Sequence, residues 1–92
     1  PTIYIIPMNT EAKSLKLANE LREYGYIVDV EMTGRKIKKC FDYANKEGIP
    51  YVIVLGEDEV SKRVFKIKKM ETGEEVQIEF DDLKKVEEII LK

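Results

Sequence analysis

Gly48-Ile49-Pro50-Tyr51-Val52-Ile53-Val54-Leu55-Gly56 decides the fold: five consecutive apolar, mostly β-branched residues stand between a Gly/Pro pair and a glycine. A run of that length and composition, with no alternation, is a strand covered on both faces, as in the middle of a parallel sheet. Upstream, Ile37, Cys40, Phe41 and Ala44 fall at i, i+3, i+4 and i+7, so a helix is expected from about Arg35 to Lys46, ending at Gly48. Before it, Ile27-Val28-Asp29-Val30-Glu31-Met32 alternates, with Val28, Val30 and Met32 on one face and Asp29 and Glu31 on the solvated one, as an edge strand does. Thr2-Ile3-Tyr4-Ile5-Ile6, stopped by Pro7, is a buried first strand. Ala12, Leu15, Ala18, Leu21 and Tyr24 then mark a helix over 11–24, with Asn9 or Thr10 to cap it and Gly25 to end it.

Downstream, Val64 to Met70 reads as a strand with Phe65 and Ile67 inward and Lys66 and Lys68 outward. Glu71-Thr72-Gly73-Glu74 reads as a hairpin turn, and Val76-Gln77-Ile78-Glu79-Phe80 returns. A two-residue Thr72-Gly73 loop would set Lys66 opposite Glu79 and Lys68 opposite Gln77. Asp81 or Asp82 caps a last helix carrying Leu83, Val86, Ile89 and Ile90. The order βαβαβ, hairpin, α predicts one α/β domain over 1–92, three layers α/β/α, with five strands and three helices.

Composition narrows the chemistry. Ninety-two residues suffice for a single core. One cysteine and no histidine rule out an internal disulfide, a zinc site of the usual N/S type, and Ser/His or Cys/His catalysis. Cys40 lies on the buried helix stripe and reads as a small core residue. No run approaches the ~18 apolar residues of a membrane span and the N-terminus has no signal-peptide pattern, so a cytoplasmic protein with no membrane partner is expected. The net charge of −2 conceals a local reversal. Residues 1–32 hold three cations against five carboxylates and residues 70–92 three against eight, but residues 33–69 hold ten against five. Charge alone fits an ordinary solvated face as well as a binding one.

In an open parallel sheet, ligands bind beyond the carboxyl ends of the strands. The segments expected there are Pro7-Met8-Asn9, the basic Thr33-Gly34-Arg35-Lys36 and the acidic Gly56-Glu57-Asp58-Glu59. Glycine-rich dinucleotide and Walker spacings are missing after the first strand, and Leu55-Gly56 stands where a receiver-like fold needs aspartate. The carboxylate run lacks the further oxygen ligands of a metal site. Clustered cations with a few carboxylates suit single-stranded RNA, where cations hold phosphates and carboxylates accept from base amino and imino groups.

The run Thr33-Gly34-Arg35-Lys36-Ile37-Lys38-Lys39, then Tyr43-Ala44-Asn45-Lys46 and Gly48 through Glu59, closely resembles the anticodon-binding domain of class IIa aminoacyl-tRNA synthetases. Tyr4-Ile5-Ile6-Pro7 and Met70-Glu71-Thr72-Gly73-Glu74-Glu75 extend the resemblance over essentially the whole chain. Gly34-Arg35-Lys36 and the Glu71–Glu74 hairpin are most similar to the histidyl members rather than the threonyl, prolyl or glycyl ones. The resemblance implies a mixed sheet of order 2-1-3-4-5 with strand four antiparallel, in a domain at the C-terminus of a larger ligase that is a homodimer. It implies a tRNA partner, probed by its anticodon loop, and no DNA partner. It assigns Glu59 to a base contact and Lys68 to a cationic position on strand four, and lays Gly34, Arg35, Lys36 and Lys39 against the loop. Arg63 and Lys66 complete the expected RNA-binding set from the basic segment. The histidine anticodon carries two guanines, whose N1 and N2 donors suit a carboxylate such as Glu59.

The class II motifs for ATP binding and aminoacyl transfer are missing from this chain, so it is expected to be non-catalytic and to hold no cofactor. By the resemblance, ATP and magnesium belong to the catalytic domain of the parent. An excised domain is expected, since the chain begins inside its first strand. A free-standing synthetase-like RNA-binding or protein-interaction module, or the anticodon domain of a threonyl, prolyl or glycyl synthetase, is the rival reading, and a small flavodoxin-like enzyme a third.

Overall fold

The computed structural model describes residues 2–90. Tyr51–Leu55 forms the middle strand, β3, of a five-stranded sheet of order β2-β1-β3-β4-β5. On one side β3 pairs in parallel with β1 (Ile3–Pro7), Tyr51 opposite Ile3 and Leu55 opposite Pro7, and β1 pairs in parallel with β2 (Val28–Val30). On the other side β3 meets β4 (Val64–Lys69) antiparallel, Ile53 opposite Ile67, and β4 turns back into β5 (Glu75–Glu79). The expected order and the antiparallel fourth strand are both found.

One face of the sheet is fully covered. Helix α1 (Glu11–Glu23) and a 3₁₀ turn (Leu83–Lys85) leading into a terminal helix (Val86–Ile90) lay Leu17, Ala18, Leu21, Leu83, Val86 and Ile89 over Ile3, Ile5, Ile53, Phe65, Ile67 and Ile78. Among the described residues the other face has one helix, α2 (Ile37–Glu47), whose Cys40 and Ala44 pack on Tyr4, Ile6 and Val52, and the strands β4 and β5 have no helix above them on that side. The sheet is three layers deep over β1 and β3 and two layers deep over the hairpin.

Several local expectations are corrected. A helix not foreseen, α3 (Glu57–Lys62), replaces the acidic loop, giving four α-helices among the described residues where three were expected. Glu57, Asp58 and Glu59 in its first turn and Lys62 in its last both complement the helix dipole. Helix α2 starts at Ile37, not Arg35, because Gly34 is left-handed (φ 75°) and Lys36 is extended. In α1 the buried stripe is Ser14, Leu17, Ala18 and Leu21, one residue out of phase with the expected Leu15 and Tyr24, which are exposed. The Ser14 hydroxyl is tolerated there because Thr10 Oγ1 lies 3.2 Å away. Neither Thr10 nor Asp82 makes a side-chain cap. The hairpin loop spans four residues, with Lys69 N–H bonded to Glu74 O (2.8 Å). This sets Lys66 opposite Gln77 and Lys68 opposite Glu75, two residues from the expected pairing. Finally, Glu31 is buried and Met32 is 61% exposed. The alternation holds over Val28–Val30, with Asp29 exposed, and breaks at Glu31, which lies beneath Cys40 of α2 rather than open to water.

Local side chains also occupy the outer edge of β2. Arg22 Nη2 donates to Val28 O (2.7 Å), and Val30 N–H donates to Asp29 Oδ1 (3.0 Å). At the C-terminal end of the parallel strands, Thr10 Oγ1 donates to Leu55 O (2.6 Å), tying the start of α1 to β3. Thr10→Val keeps the shape and deletes this bond and its link to buried Ser14. It should lower the free energy of unfolding by about 1 kcal/mol, read as a reduced urea midpoint with unchanged m-value; equal midpoints would show that the tie contributes nothing.

Candidate functional site

The bare half of the second face forms a groove. Val52 and Val54 of β3 make its floor, Ile37 and Phe41 of α2 one wall, and Lys66 and Lys68 of β4 the other. Glu75 and, at the end, Glu59 of α3 complete a concavity of about 310 Å³. Strand alternation produces this arrangement. Phe65 and Ile67 point into the covered core, so Lys66 and Lys68 must point to the uncovered side. The Lys68 ammonium sits 4.9 Å from the centre of the Phe41 ring, a cation–π contact that holds it over the groove. A second concavity of about 260 Å³ continues along the hairpin, shares Glu59 and Lys66, and adds Asp58, Lys62 and Gln77. Together they offer apolar surface for stacking, cations for phosphates, and a carboxylate with no basic partner within ion-pairing distance among the described residues.

Glu59 is the third residue of α3, and its carboxylate folds back against Gly56. A methyl group at Gly56 would stand 2.8 Å from Glu59 Oε2, so the missing side chain at Gly56 is what admits the carboxylate there.

The loop entering α2 borders the groove through Ile37. Its geometry is set by Glu31. The buried Glu31 carboxylate accepts from the Tyr4 hydroxyl, the Thr33 hydroxyl and the Thr33 N–H (2.7 Å), and Arg35 Nε lies 3.6 Å from Oε2. Arg35 Nε also donates to Thr33 Oγ1 (3.1 Å), and the guanidinium rests 4.5 Å above the Tyr43 ring. Burial pushes the Glu31 carboxyl up, but the hydrogen bonds from Thr33 and Tyr4 and the Arg35 charge outweigh it and hold the group at about 2. Burial is the main cause of the raised Tyr4 hydroxyl, with the Glu31 bond adding to it, and it also pushes the Cys40 thiol up. Cys40 is therefore a neutral core thiol, its Sγ 3.6 Å from Arg35 O.

Of the expected site residues, Glu59, Lys66 and Lys68 line the same groove. Gly34, Arg35 and Lys36 are exposed in the loop before α2, not inside the helix; Lys39 is exposed on its first turn and lines neither concavity. No acidic residue occupies that turn, so Lys38 and Lys39 add to the positive end of the helix dipole. Arg63 is separate. It is left-handed (φ 60°) at the end of α3, and its side chain lines a cavity of about 150 Å³ against α1 with Lys13, Lys16 and Glu20. That cavity belongs to the covered side of the sheet, so Arg63 does not join the groove. The wall residue Phe41, the floor residues Val52 and Val54 and the polar Gln77 were not foreseen. The readable signal was a count: one helix on that face cannot roof five strands.

Known proteins share this fold. Residues 2–88 match the family model described as the anticodon binding domain. Histidine–tRNA ligase 1 of Bacillus cereus is 42% identical over 83 residues, 89% of this chain and 19% of that protein. Histidine–tRNA ligase 2 of Shouchella clausii is 46% identical over 84% of the chain and 18% of its own length. The chain thus spans about a fifth of the length of the curated relatives it matches. Among solved structures, histidyl-tRNA synthetase from Nostoc sp. PCC 7120 superposes with a TM-score of 0.90 at 26% identity over 99% of the chain and 22% of its own. The apo S. aureus enzyme superposes with a TM-score of 0.80 at 34% identity over 88% of this chain and 21% of its own.

The Glu31 cluster predicts an acid transition. Its carboxyl sits at about 2 in the fold against an ordinary 4.5. Folding therefore favours the ionised form, and the stabilisation is complete above the unfolded value and lost as pH falls towards 2. The wild type should be more stable than E31Q by a margin that shrinks by on the order of 3 kcal/mol between about pH 5 and pH 2. Urea unfolding of both proteins across that range measures the margin; a pH-independent difference would contradict the assignment.

Proposed function

The chain belongs to the anticodon-binding domain family, and from that premise we propose that it reads the anticodon of histidine tRNA as one domain of a histidine–tRNA ligase. The observation that carries this reading is the groove on the half-covered sheet face, where Glu59, Lys66 and Lys68 stand around an apolar floor. Lys66 and Lys68 neutralise the phosphates of an opened loop, and Phe41 and Ile37 offer surface to an unstacked base. Glu59 accepts from the amino and imino donors of a guanine edge. The basic turn Gly34–Lys39 grips the backbone on the α2 side of the groove.

The histidine assignment rests on relatives that carry that name at 35–46% identity. Activation of histidine with ATP and magnesium, and transfer to the tRNA, fall to the remaining four fifths of such a ligase, which acts as a cytoplasmic homodimer. Among the described residues no helix is long and apolar enough to cross a membrane.

Binding of fluorescent anticodon stem-loops tests the proposal. Lys66→Ala with Lys68→Ala should weaken binding to all loops alike and flatten the dependence of log affinity on log salt by roughly 0.7 for each phosphate no longer neutralised. Glu59→Ala should instead erode discrimination between the histidine anticodon and altered ones by about 1–3 kcal/mol. Gly56→Ala, which crowds the Glu59 carboxylate but no backbone, should act in the same direction with little loss of stability. If the wild type ignores anticodon sequence while binding a protein partner tightly, the domain is an interaction module instead.

A further inference from the structure

We propose that Glu31 is a positioning residue for RNA recognition: from beneath the loop it fixes the Arg35 guanidinium in one orientation, making Arg35 a specificity contact rather than a diffuse positive charge. This rests on the anticodon-reading function proposed above.

The geometry carries the inference. The Glu31 side chain is 5% exposed and that of Arg35 38% exposed, so Glu31 is out of reach of any macromolecule while Arg35 is within it. Three constraints converge on the guanidinium. Nε faces Glu31 Oε2 at 3.6 Å, the same Nε donates to Thr33 Oγ1 at 3.1 Å, and one face of the group lies 4.5 Å above the Tyr43 ring. The constraining groups are themselves held. Tyr43 packs against Tyr4 (centroids 5.3 Å apart), the Tyr4 hydroxyl bonds Glu31, and the Thr33 N–H bonds the same carboxylate. Arginine so anchored has surrendered its rotamer freedom before binding and leaves the Nη1/Nη2 edge and the second face for a ligand. That edge matches a planar pair of acceptors, either guanine O6 and N7 or two oxygens of one phosphate.

Electrostatics alone predicts the opposite consequence of removing Glu31. Deleting a carboxylate 3.6 Å from Arg35 raises the local positive potential and should tighten binding of every polyanion. Positioning predicts a loss confined to the cognate loop. The test measures, for wild type, E31Q, R35K and Tyr43→Leu, affinities for the histidine anticodon stem-loop and for one with a scrambled anticodon. Expected is a fall in the cognate-to-scrambled ratio on the order of tenfold for E31Q and R35K, with scrambled-loop binding unchanged or tighter. The E31Q/R35K double variant should lose no more than either single.

Guanine-to-7-deazaguanine substitution in the loop identifies the acceptor. A ratio loss in wild type that R35K does not add to indicates a base edge, and no effect indicates a phosphate. Should E31Q fail to fold by circular dichroism, R35K and Tyr43→Leu carry the same prediction. An unchanged or improved ratio in the folded variants overturns the inference. Failure of wild type to distinguish the two loops would instead overturn the function on which it rests.

Discussion

A five-stranded sheet has two faces to hide from water, and this chain supplies apolar roofing for one face and part of the other. On the first, α1 and the C-terminal helix bury the inward residues of all five strands. On the second, α2 covers β1, β3 and Glu31 at the end of β2, and the hairpin answers with lysine, glutamate and glutamine in place of valine and isoleucine. The uncovered strip is thus written into the alternation of β4 and β5. Burial of Phe65, Ile67 and Ile78 on one side forces Lys66, Lys68 and Gln77 to the other. What makes the strip a groove rather than a flat surface is the height of α2 along one side and of α3 at one end.

The second organising element is a carboxylate where a core side chain is expected. Glu31 costs desolvation, and three hydrogen bonds from Tyr4 and Thr33 together with the Arg35 charge offset it. An apolar residue would pack there more simply, but it would leave the Tyr4 hydroxyl unpaired and release Thr33 and Arg35. The buried acid therefore joins the sheet, through Tyr4, to the conformation of the loop that precedes α2.

Much of this was legible in the sequence, for identifiable reasons. The apolar run at 51–55 and the crossover rule fix the central strand and the parallel half of the sheet, and the Phe65/Ile67 alternation fixes which lysines face outward. The misreadings share one cause, a local pattern read without knowledge of what covers it. Glu31 looks solvated until α2 is placed above it; Ser14 looks wrong for a core until Thr10 is beside it. The glycine-led acidic run 56–59 looks like a loop, although its charges suit a helix start. At the groove, the charged members were readable because charge marks itself. The floor was not, since the half-buried Val54 carries the same signal as the fully buried Val52 in the same strand. Arg63 falls among the lysines along the chain, but at the left-handed end of α3 its side chain lies towards α1 on the other side.

Helix α3 is six residues long and none of its residues is fully buried. Apart from Val60, which packs against the core, its residues are free of the volume constraints that bind the strands, while the lysines beside it stand on a hairpin whose Phe65, Ile67 and Ile78 are buried. On the reading proposed above, the lysines that meet phosphate and the glutamate that meets a base therefore stand on separate elements, so substitutions at Asp58 or Ser61 on the exposed side of α3 leave the packing of the hairpin untouched.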